Sequence, residues 1–197
     1  DVREHARVAS GDADAGRVTL ADGETLGADR IVVAAGAWVT KLFPDLAGTL
    51  STQRTAVVYL DPPADLKAAW ERAPVILDVG GKVDGYIIPP SGGGGLKFGT
   101  GMHKKVNPDA DADRVPRPEE GAQILSHFSP PMARLSEYTV LDVVTCAYTF
   151  TADERFFGMG KGKAIVVSAC SGHGYKFGAA VGRRVAAAVE DGDIARL

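Results

Sequence analysis

The stretch that decides the fold is VVSACSGHGYKFGAAVGRRVAAAV, which runs from Val166 to Val189. It begins as an apolar strand, breaks at a glycine-rich turn and continues with apolar residues at helical spacing. A strand, a tight turn and a helix in this order are typical of α/β proteins, which bind ligands at the carboxyl ends of their strands. The stretch therefore predicts part of a parallel sheet, with a ligand site at residues 171–176.

The turn carries two basic side chains, His173 and Lys176. The helix that follows would present unpaired N–H groups and a partial positive charge at its first turn, which favours an anionic or electron-rich group. The two basic residues reinforce that potential. The alternative is a glycine turn with a packed histidine and a solvated lysine, and the stretch by itself leaves both interpretations open.

A second strand of the same character stands near the start of the chain. Residues 30–36, RIVVAAG, are apolar without alternation, which predicts a strand buried on both faces of a parallel sheet. The shorter segments before it alternate and contain the hairpin signal Asp22-Gly23, which predicts a β-meander. The two ends of the chain are therefore expected to form one sheet layer.

Between these ends the pattern changes to longer alternating strands, which predicts an inserted antiparallel domain. The tetraglycine 92–95 is expected to be a hairpin turn, because it lacks the lysine spacing and the helix of a phosphate-binding loop. Residues 119–128 are the best helix of this part, and residues 137–151 are expected to form a strand pair. The fold class is a mixture of α+β and α/β, with domain segments 1–48, 49–157 and 158–197.

Composition argues against several function classes. The 197 residues are 45% hydrophobic, enough for a core, and a net charge of −3 without a basic cluster argues against a nucleic-acid partner. No apolar run approaches the roughly 20 residues of a membrane helix. The two cysteines form no CxxC pair, which favours a cytoplasmic location, and the four histidines form no metal-binding cluster.

Two residues of the central part, Lys97 and Cys146, could have a functional role only in a suitable environment. Lys97 stands inside a strand between Leu96 and Phe98, where a solvated lysine is the simpler interpretation. Cys146 lies in another alternating strand, where a buried and inert cysteine is usual. The nearby sequence supplies no cation that would lower the pKa of its thiol. Neither residue identifies a site by itself.

Four segments, taken in order, match a known family. They are ADRIVVAAGAW at 28–38, GYIIPPSGGGGLKFGTGMHKKVNPD at 85–109, TCAYTFTADERFF at 145–157 and SGHGYKFGAAVG at 171–182. With them the chain resembles the C-terminal part of the flavin-dependent amine oxidases of the D-amino-acid oxidase superfamily. The resemblance is closest to the branch of monomeric sarcosine oxidase and N-methyl amino acid oxidase.

The resemblance implies a Rossmann-type FAD-binding domain with an inserted antiparallel substrate domain that lies over the flavin. In such proteins the GxGxxG turn lies near the start of the full-length chain, and here no GxGxxG follows a strand. The sequence, which begins at Asp1 rather than at a methionine, is therefore expected to be a fragment that lacks this unit. An isolated fragment is expected to lack FAD and to self-associate through its truncated sheet.

The resemblance also implies roles in catalysis and substrate binding. Lys97 matches a lysine near flavin N5, where a fixed positive charge favours the reaction with oxygen, and His173 lies beside the flavin. Lys176 matches a lysine that binds the substrate carboxylate. Tyr86 and Tyr148 match tyrosines that line the substrate cavity.

Cofactor contacts are implied in the same way. Cys146 matches the cysteine that attaches the flavin covalently through the 8α carbon of its ring. The helix that begins near Tyr175 would direct its positive end toward the N1/C2=O edge of the flavin. The implied cofactor-binding residues are Gly36, Trp38, Cys146, Gly172, Gly174, Tyr175 and Lys176.

Three departures from the family pattern leave the substrate and covalent attachment open. The histidine found four residues after the oxygen-site lysine is Gly101 here, with His103 two residues further on. Ala147 replaces a larger residue beside the cysteine. The carboxylate-binding arginine of the family belongs to the N-terminal half, which this sequence does not include.

The expected function is that of an FAD-dependent oxidase of secondary amines, of the sarcosine or N-methyl amino acid type. The substrate would give a hydride equivalent to flavin N5, and molecular oxygen would be reduced to peroxide. One alternative is a D-amino acid or glycine-type dehydrogenase or oxidase of the same superfamily. Another is an inactive substrate-binding or interaction domain.

Overall fold

A computed structural model of the protein describes residues 1–196. Its strands are β1 (Val8–Asp12), β2 (Arg17–Leu20), β3 (Thr25–Gly27), β4 (Ile31–Val33), β5 (Ser51–Asp61), β6 (Ile76–Val79), β7 (Gly85–Ile88), β8 (Leu96–Thr100), β9 (Lys105–Val106), β10 (Thr139–Phe150), β11 (Phe157–Lys161) and β12 (Ala164–Ser168). Its helices are α1 (Val39–Leu42), α2 (Ala64–Trp70), α3 (Glu120–Ser126) and α4 (Gly178–Asp191).

The chain divides into two compact units. The first contains Asp1–Thr52, Pro108–Ala110 and the segment from Tyr148 onward, whereas the second contains Gln53–Asn107 and Asp111–Ala147. The first unit is thus built mainly from the two ends of the chain. The assignment of segments 1–48, 49–157 and 158–197 to FAD-binding and substrate domains stays a prediction.

The first unit contains a meander and a mixed sheet. Strands β1, β2 and β3 pair antiparallel, and the turn at Asp22-Gly23 is the predicted hairpin, with Gly23 at φ +93°. In the second sheet, of order β11-β12-β4, β12 pairs parallel with β4 and antiparallel with β11. The prediction that both ends of the chain share one layer is confirmed. Strand β11 was not predicted.

The strand expected at residues 30–36 is shorter than its apolar run. It ends at Val33, because a 3₁₀ turn over Gly36–Trp38 follows, with Gly36 at φ +53°. The expectation that both faces are buried is wrong for the described residues. Val33 is buried in the core, but Val32 is 44% exposed because nothing in residues 1–196 covers its face.

Helix α4 follows the glycine-rich turn as predicted, and Gly192 caps it. Gly192 has φ +70°, and its N–H donates to the Ala188 carbonyl at 3.0 Å. The predicted apolar stripe of this helix is partly covered. Ala188 is buried and Val181, Val185 and Val189 are half-buried, while Phe177, just before the helix, is 43% exposed.

The second unit is built on a six-stranded sheet, in which strands β5, β6, β7, β8 and β9 pair antiparallel. Its order is β10-β5-β8-β7-β6, and β9 also pairs with β5. The predicted antiparallel character and the hairpin around the tetraglycine are confirmed, since Ile88 of β7 lies opposite Lys97 of β8. The strand pair expected at 137–151 is wrong. Strand β10 is continuous, because residues 139–150 contain no glycine, proline or asparagine that would favour a turn.

One face of this sheet carries the core of the second unit. Val58, Ile87 and Phe98 occupy neighbouring positions on β5, β7 and β8, and all three are fully buried. Phe128, just after α3, packs against Phe98 with ring centroids 4.9 Å apart and ring planes tilted by 58°. Helix α2, which was not predicted, adds Trp70, whose indole N–H donates to the Tyr138 hydroxyl at 2.9 Å. The opposite face of the sheet does not contribute to this core.

Within residues 1–196, no helix combines the length and the apolar character needed to cross a membrane.

Candidate functional site

The side chain of Lys97 lies on the sheet face opposite the core of the second unit. Its neighbours Leu96 and Phe98 are fully buried, and Phe98 belongs to the core face. Because side chains alternate along a strand, Lys97 points to the other face. Tyr59 and Ile88 lie directly opposite Lys97 on the two flanking strands, so they share that face. Lys97 is therefore half-buried rather than fully solvated.

Tyr86 lies on the same face and covers a glycine. It pairs with Gly99, and a Cβ atom at residue 99 would lie 2.3 Å from Cζ of the Tyr86 ring. Only glycine leaves room for the ring there. The Lys97 ammonium lies 5.9 Å from the centroid of that ring, a cation–π distance. Gly99 thus allows the phenol to lie flat across β8, within reach of the lysine charge.

Cys146 also belongs to this face. Val143 of β10 packs against the core, so alternation directs the half-buried Cys146 to the opposite side. Burial raises the pKa of the Tyr86 phenol to about 12, and the nearby Cys146 is the next cause. The second unit therefore brings together three predicted site residues, Tyr86, Lys97 and Cys146, on one surface that we call the tyrosine face.

The glycine-rich turn in the first unit is held by its backbone. Ala169 and Ser171 have positive φ values of 52° and 50°, which side chains rarely adopt. The Ser171 N–H donates to the Thr149 carbonyl at 3.1 Å. A Cβ atom at Gly174 would lie 2.2 Å from Cβ of Cys170, so the turn has no room for a side chain at that position.

The side chains of the turn are arranged around aromatic rings. The His173 ring lies 5.3 Å from the Phe156 ring, and the Lys176 ammonium lies 5.4 Å from the Phe177 ring. Tyr175 is fully exposed. His173 and Lys176 thus lie on the same short segment, as the sequence implies, and this segment belongs to the first unit.

The remaining predicted residues also belong to the first unit. The Ser168 hydroxyl at the end of β12 donates to the Gly36 carbonyl at 3.1 Å, which ties the turn of Gly36 and Trp38 to the glycine-rich turn. Gly172 at φ +80° completes the latter turn. Tyr148 packs edge-on against Phe150, with centroids 6.4 Å apart. The structure therefore divides the predicted residues into two groups, one in each unit.

The N-terminus of α4 is suited to an electron-rich ligand. A 3₁₀ turn over Tyr175–Phe177 leads into the helix, and no side chain caps its first N–H groups. Over 14 residues the peptide dipoles add up to a partial positive charge at this end. Lys176 stands in the same turn and adds a full charge.

A family model describes nearly the whole chain. The model named "FAD dependent oxidoreductase" (DAO) matches residues 1–188. The chain belongs to this FAD-dependent oxidoreductase family. A comparison with curated proteins found no match.

Solved structures share the fold of this family member at low sequence identity. The fructosamine oxidase Amadoriase II from Aspergillus fumigatus gives a TM-score of 0.77 at 18% identity, over 94% of this chain and 48% of that one. Amadoriase I, a fructosyl amine:oxygen oxidoreductase of the same organism, gives 0.76 at 20% identity, over 94% and 45%. A modified fructosyl peptide oxidase from Aspergillus nidulans gives 0.73 at 20% identity, over 95% and 48%. The chain thus spans about half the length of these proteins.

The fold and the cofactor of this family agree with both groups of residues. The chain is a mixed α/β protein with antiparallel sheets that match the FAD-binding fold of the family. The family is FAD-dependent. In the first unit, the uncapped N-terminus of α4 and Lys176 offer N–H donors and a positive charge, which are chemically suited to an electron-rich ring edge. In the second unit, considered by itself, Cys146 offers a thiol outside any disulfide and Lys97 a positive charge. The residues present therefore fit the cofactor.

The sequence analysis missed a buried ion-pair cluster. Arg54, Glu120 and His103 are all buried, and both Glu120 carboxylate oxygens accept hydrogen bonds from the Arg54 guanidinium. His103 Nε2 lies 2.9 Å from Glu120 Oε1. The Arg54 pair, more than any other contact, lowers the pKa of Glu120 to about 2. The available signal was Arg54 itself, a basic residue in the interior of strand β5.

Two residues beside the tyrosine face were also missed. Tyr59 is opposite Lys97, and the alternation of β5 would have placed it there once the pairing was known. Asp84 stands just before β7, two residues from Tyr86, where the sequence shows only a loop carboxylate. Among the described residues, no group of three histidine, cysteine or acidic side chains is arranged to hold a metal ion.

Proposed function

We propose that the protein containing this chain is an FAD-dependent oxidase of secondary amines, of the sarcosine or N-methyl amino acid type. The observation that carries the proposal is the tyrosine face, where Lys97, Tyr86 and Cys146 meet on one sheet surface. A lysine, a phenol and a thiol in an FAD-dependent family supply a charge for oxygen, a wall for the substrate and an attachment point for the cofactor. When bound, FAD supplies the acceptor for a hydride equivalent from the substrate C–H.

Tyr86 and Lys97 would form the oxidising side of the site together. Because the pKa of Tyr86 is about 12, its phenol stays neutral at physiological pH and presents an O–H donor and an aromatic ring to the substrate. The ring keeps the Lys97 ammonium nearby through its negative face. A fixed cation here would stabilise negative charge that develops as oxygen is reduced.

The glycine-rich turn would bind the acid end of the substrate. Lys176 is exposed beside the N-terminus of α4, so a carboxylate there would meet both an ammonium and unpaired N–H groups. His173 packs on Phe156 rather than on an acidic group, which suits a residue that contacts an aromatic cofactor edge. Gly36, Trp38, Gly172, Gly174 and Tyr175 would complete the cofactor contacts.

Covalent attachment through Cys146 is part of the proposal. The thiol is half-buried, lies on the tyrosine face and is not consumed by a disulfide. Acid precipitation of the holoprotein should leave the yellow colour in the pellet, and Cys146→Ala should release it into the supernatant. If the yellow colour of the unsubstituted protein appears in the supernatant, the flavin is bound non-covalently and Cys146 does not attach it.

A second candidate substrate is an amine that carries a sugar. It is favoured by the names of the similar solved structures, which are oxidases of fructosyl amines, fructosamines and fructosyl peptides. At 18% to 20% identity these structures share the fold alone. Turnover of fructosyl-glycine compared with N-methylglycine distinguishes the two substrates directly.

Replacement of Lys97 by methionine tests the oxidase proposal. We expect the rate constant for reoxidation of the reduced holoprotein by oxygen, measured by stopped flow, to fall about 100-fold. Anaerobic reduction by the amine should change much less. The matched control is Lys105→Met, an exposed lysine of the same sheet whose register partner is Arg54.

An unaltered oxygen reaction in the Lys97→Met protein would favour the alternative, a dehydrogenase of the same superfamily that passes electrons to another carrier. The other alternative, an inactive interaction domain, applies to the 197 residues by themselves. A colourless preparation that takes up no FAD would support that alternative.

A further inference from the structure

Asp84 is placed beside the tyrosine face by the start of strand β7. It follows a 3₁₀ turn over Gly81–Val83 and has φ +48°, after which β7 begins at Gly85. Gly85 pairs with Thr100, and the Gly101 N–H donates to the Asp84 carbonyl at 3.1 Å, so Asp84 lies opposite Gly101. The Asp84 charge lies near enough to the Tyr86 phenol to contribute to its raised pKa, so Asp84 lies on the side of Tyr86.

The Asp84 carboxylate fills the space that a side chain at Gly101 would need. A Cβ atom at residue 101 would lie 2.1 Å from Oδ2 of Asp84. The same arrangement occurs two residues earlier, where the Tyr86 ring lies over Gly99. The side chains of Asp84 and Tyr86 therefore both lie across the neighbouring strand, over a pair of glycines at its end.

The tyrosine face thus has opposite charges at its two ends. Lys97 lies opposite Ile88, Tyr86 opposite Gly99, and Asp84 opposite Gly101. Four residues along a strand correspond to about 13 Å between Cα atoms, and the phenol of Tyr86 lies between the positions of the ammonium and the carboxylate. Asp84 is exposed, and among residues 1–196 no basic side chain pairs with its carboxylate.

We infer that Asp84 determines substrate specificity by selecting amines that carry a second positively charged group. The inference rests on the proposed function, because it assigns the tyrosine face to the substrate. An exposed carboxylate without a protein partner favours an ammonium or guanidinium group through a charge-assisted hydrogen bond. Tyr86, which is neutral and next to it, does not compete for that cation. The opposite end, with Lys97, disfavours a cation.

Binding of inert ligands tests the inference without turnover. Matched pairs of 4-aminobutanoate and butanoate, 6-aminohexanoate and hexanoate, and 8-aminooctanoate and octanoate differ only in the terminal ammonium. We expect at least one amino acid to bind the holoprotein about 10-fold more tightly than its alkanoate, by isothermal titration calorimetry under anaerobic conditions. Equal affinities within every pair would overturn the inference.

Two variants assign the preference to Asp84. Asp84→Asn removes the charge, whereas Gly101→Ala keeps the charge but displaces the carboxylate. In both variants, the ratio of the affinities for the aminoalkanoate and its alkanoate should fall to about 1. Gly101 is not among the glycines with positive φ, so its alanine causes no backbone strain. Asp78→Asn, which removes an exposed carboxylate from the edge strand β6, should keep the preference.

Failure of the Asp84 inference can be distinguished from failure of the proposed oxidase function. If the protein oxidises N-methylglycine but Asp84→Asn keeps the preference for the ammonium, the inference is wrong and the proposed function stands. If no secondary amine reduces the flavin, the proposed function is wrong, and the calorimetry still decides whether Asp84 binds cations.

Discussion

The two groups of predicted site residues are held in place by different means. In the glycine-rich turn of the first unit, the backbone is fixed by positive φ values at Ala169 and Ser171 and by close approach at Gly174, while Tyr175 is fully exposed. On the tyrosine face of the second unit, the backbone is ordinary antiparallel strand, and the side chains are fixed by contacts across the sheet.

This difference predicts where each group is vulnerable. A turn specified by its backbone tolerates changes of exposed side chains but not an added Cβ atom. A surface specified by packing depends on the buried interactions that keep its sheet and loops in register. Substitutions that disrupt one group at a time should have different effects, of which loss of a buried interaction is the largest.

Loss of the buried ion pair should damage the second unit most. Glu120→Gln leaves the partly exposed Asp113 as the remaining ion-pair partner of the buried Arg54 charge. We expect the free energy of unfolding to fall by about 3 kcal/mol in urea titrations followed by circular dichroism. The matched control is Glu137→Gln, which breaks the exposed pair with Arg134. That change should cost far less, because solvent screens an exposed pair. Equal losses in the two variants would contradict the distinction.

The same carboxylate should make stability depend on acid pH. The pKa of Glu120 is lowered to about 2 in the folded protein, so its stabilisation is complete above about pH 4.5 and is lost as the pH falls toward 2. We expect a contribution of about 3 kcal/mol, seen as the difference between native and Glu120→Gln proteins in urea titrations from pH 6 to pH 2. If the difference in unfolding free energy stays constant over this range, the ionisation of Glu120 does not stabilise the folded protein through its pair with Arg54.

An added methyl group should break the turn of the first unit. Gly174→Ala places Cβ 2.2 Å from Cβ of Cys170, so the backbone must shift, at a cost of about 2 kcal/mol. Gly178→Ala is the matched control, because its Cβ meets nothing within 4 Å at the start of α4, and alanine there should be neutral or slightly stabilising. Urea titration measures both. Similar costs at the two positions would mean that the turn is not held by close approach.

Much of this architecture is predictable from local sequence pattern. The apolar strand before the glycine-rich turn, the tetraglycine hairpin and the Asp22-Gly23 turn each depend on neighbouring residues, and all three occur as expected. The order of four motifs indicated the superfamily, and the match over residues 1–188 confirms that the chain belongs to the FAD-dependent oxidoreductases. The sarcosine oxidase branch stays a prediction. Roles of single site residues stay predictions, because no local pattern fixes what they contact.

The features that were missed depend on long-range pairing. Helix α2 and strand β11 have no strong hydrophobic periodicity of their own, so their formation depends on tertiary packing. The contact of Arg54 with Glu120 joins residues 66 positions apart. Val32 was expected to be buried because its sequence is apolar, yet burial is decided by what covers a face and not by the residue alone.

Pairing of β4 with β12 has a consequence for how the polypeptide acquires its structure during translation. Ile31 and Ala164 are register partners, so the ribosome must synthesise the whole second unit before the parallel sheet can close. The second unit, whose strands pair over shorter separations, is free to form earlier. A nascent chain that stalls in between would therefore carry a finished sheet of one unit and an unpaired, adhesive strand of the other.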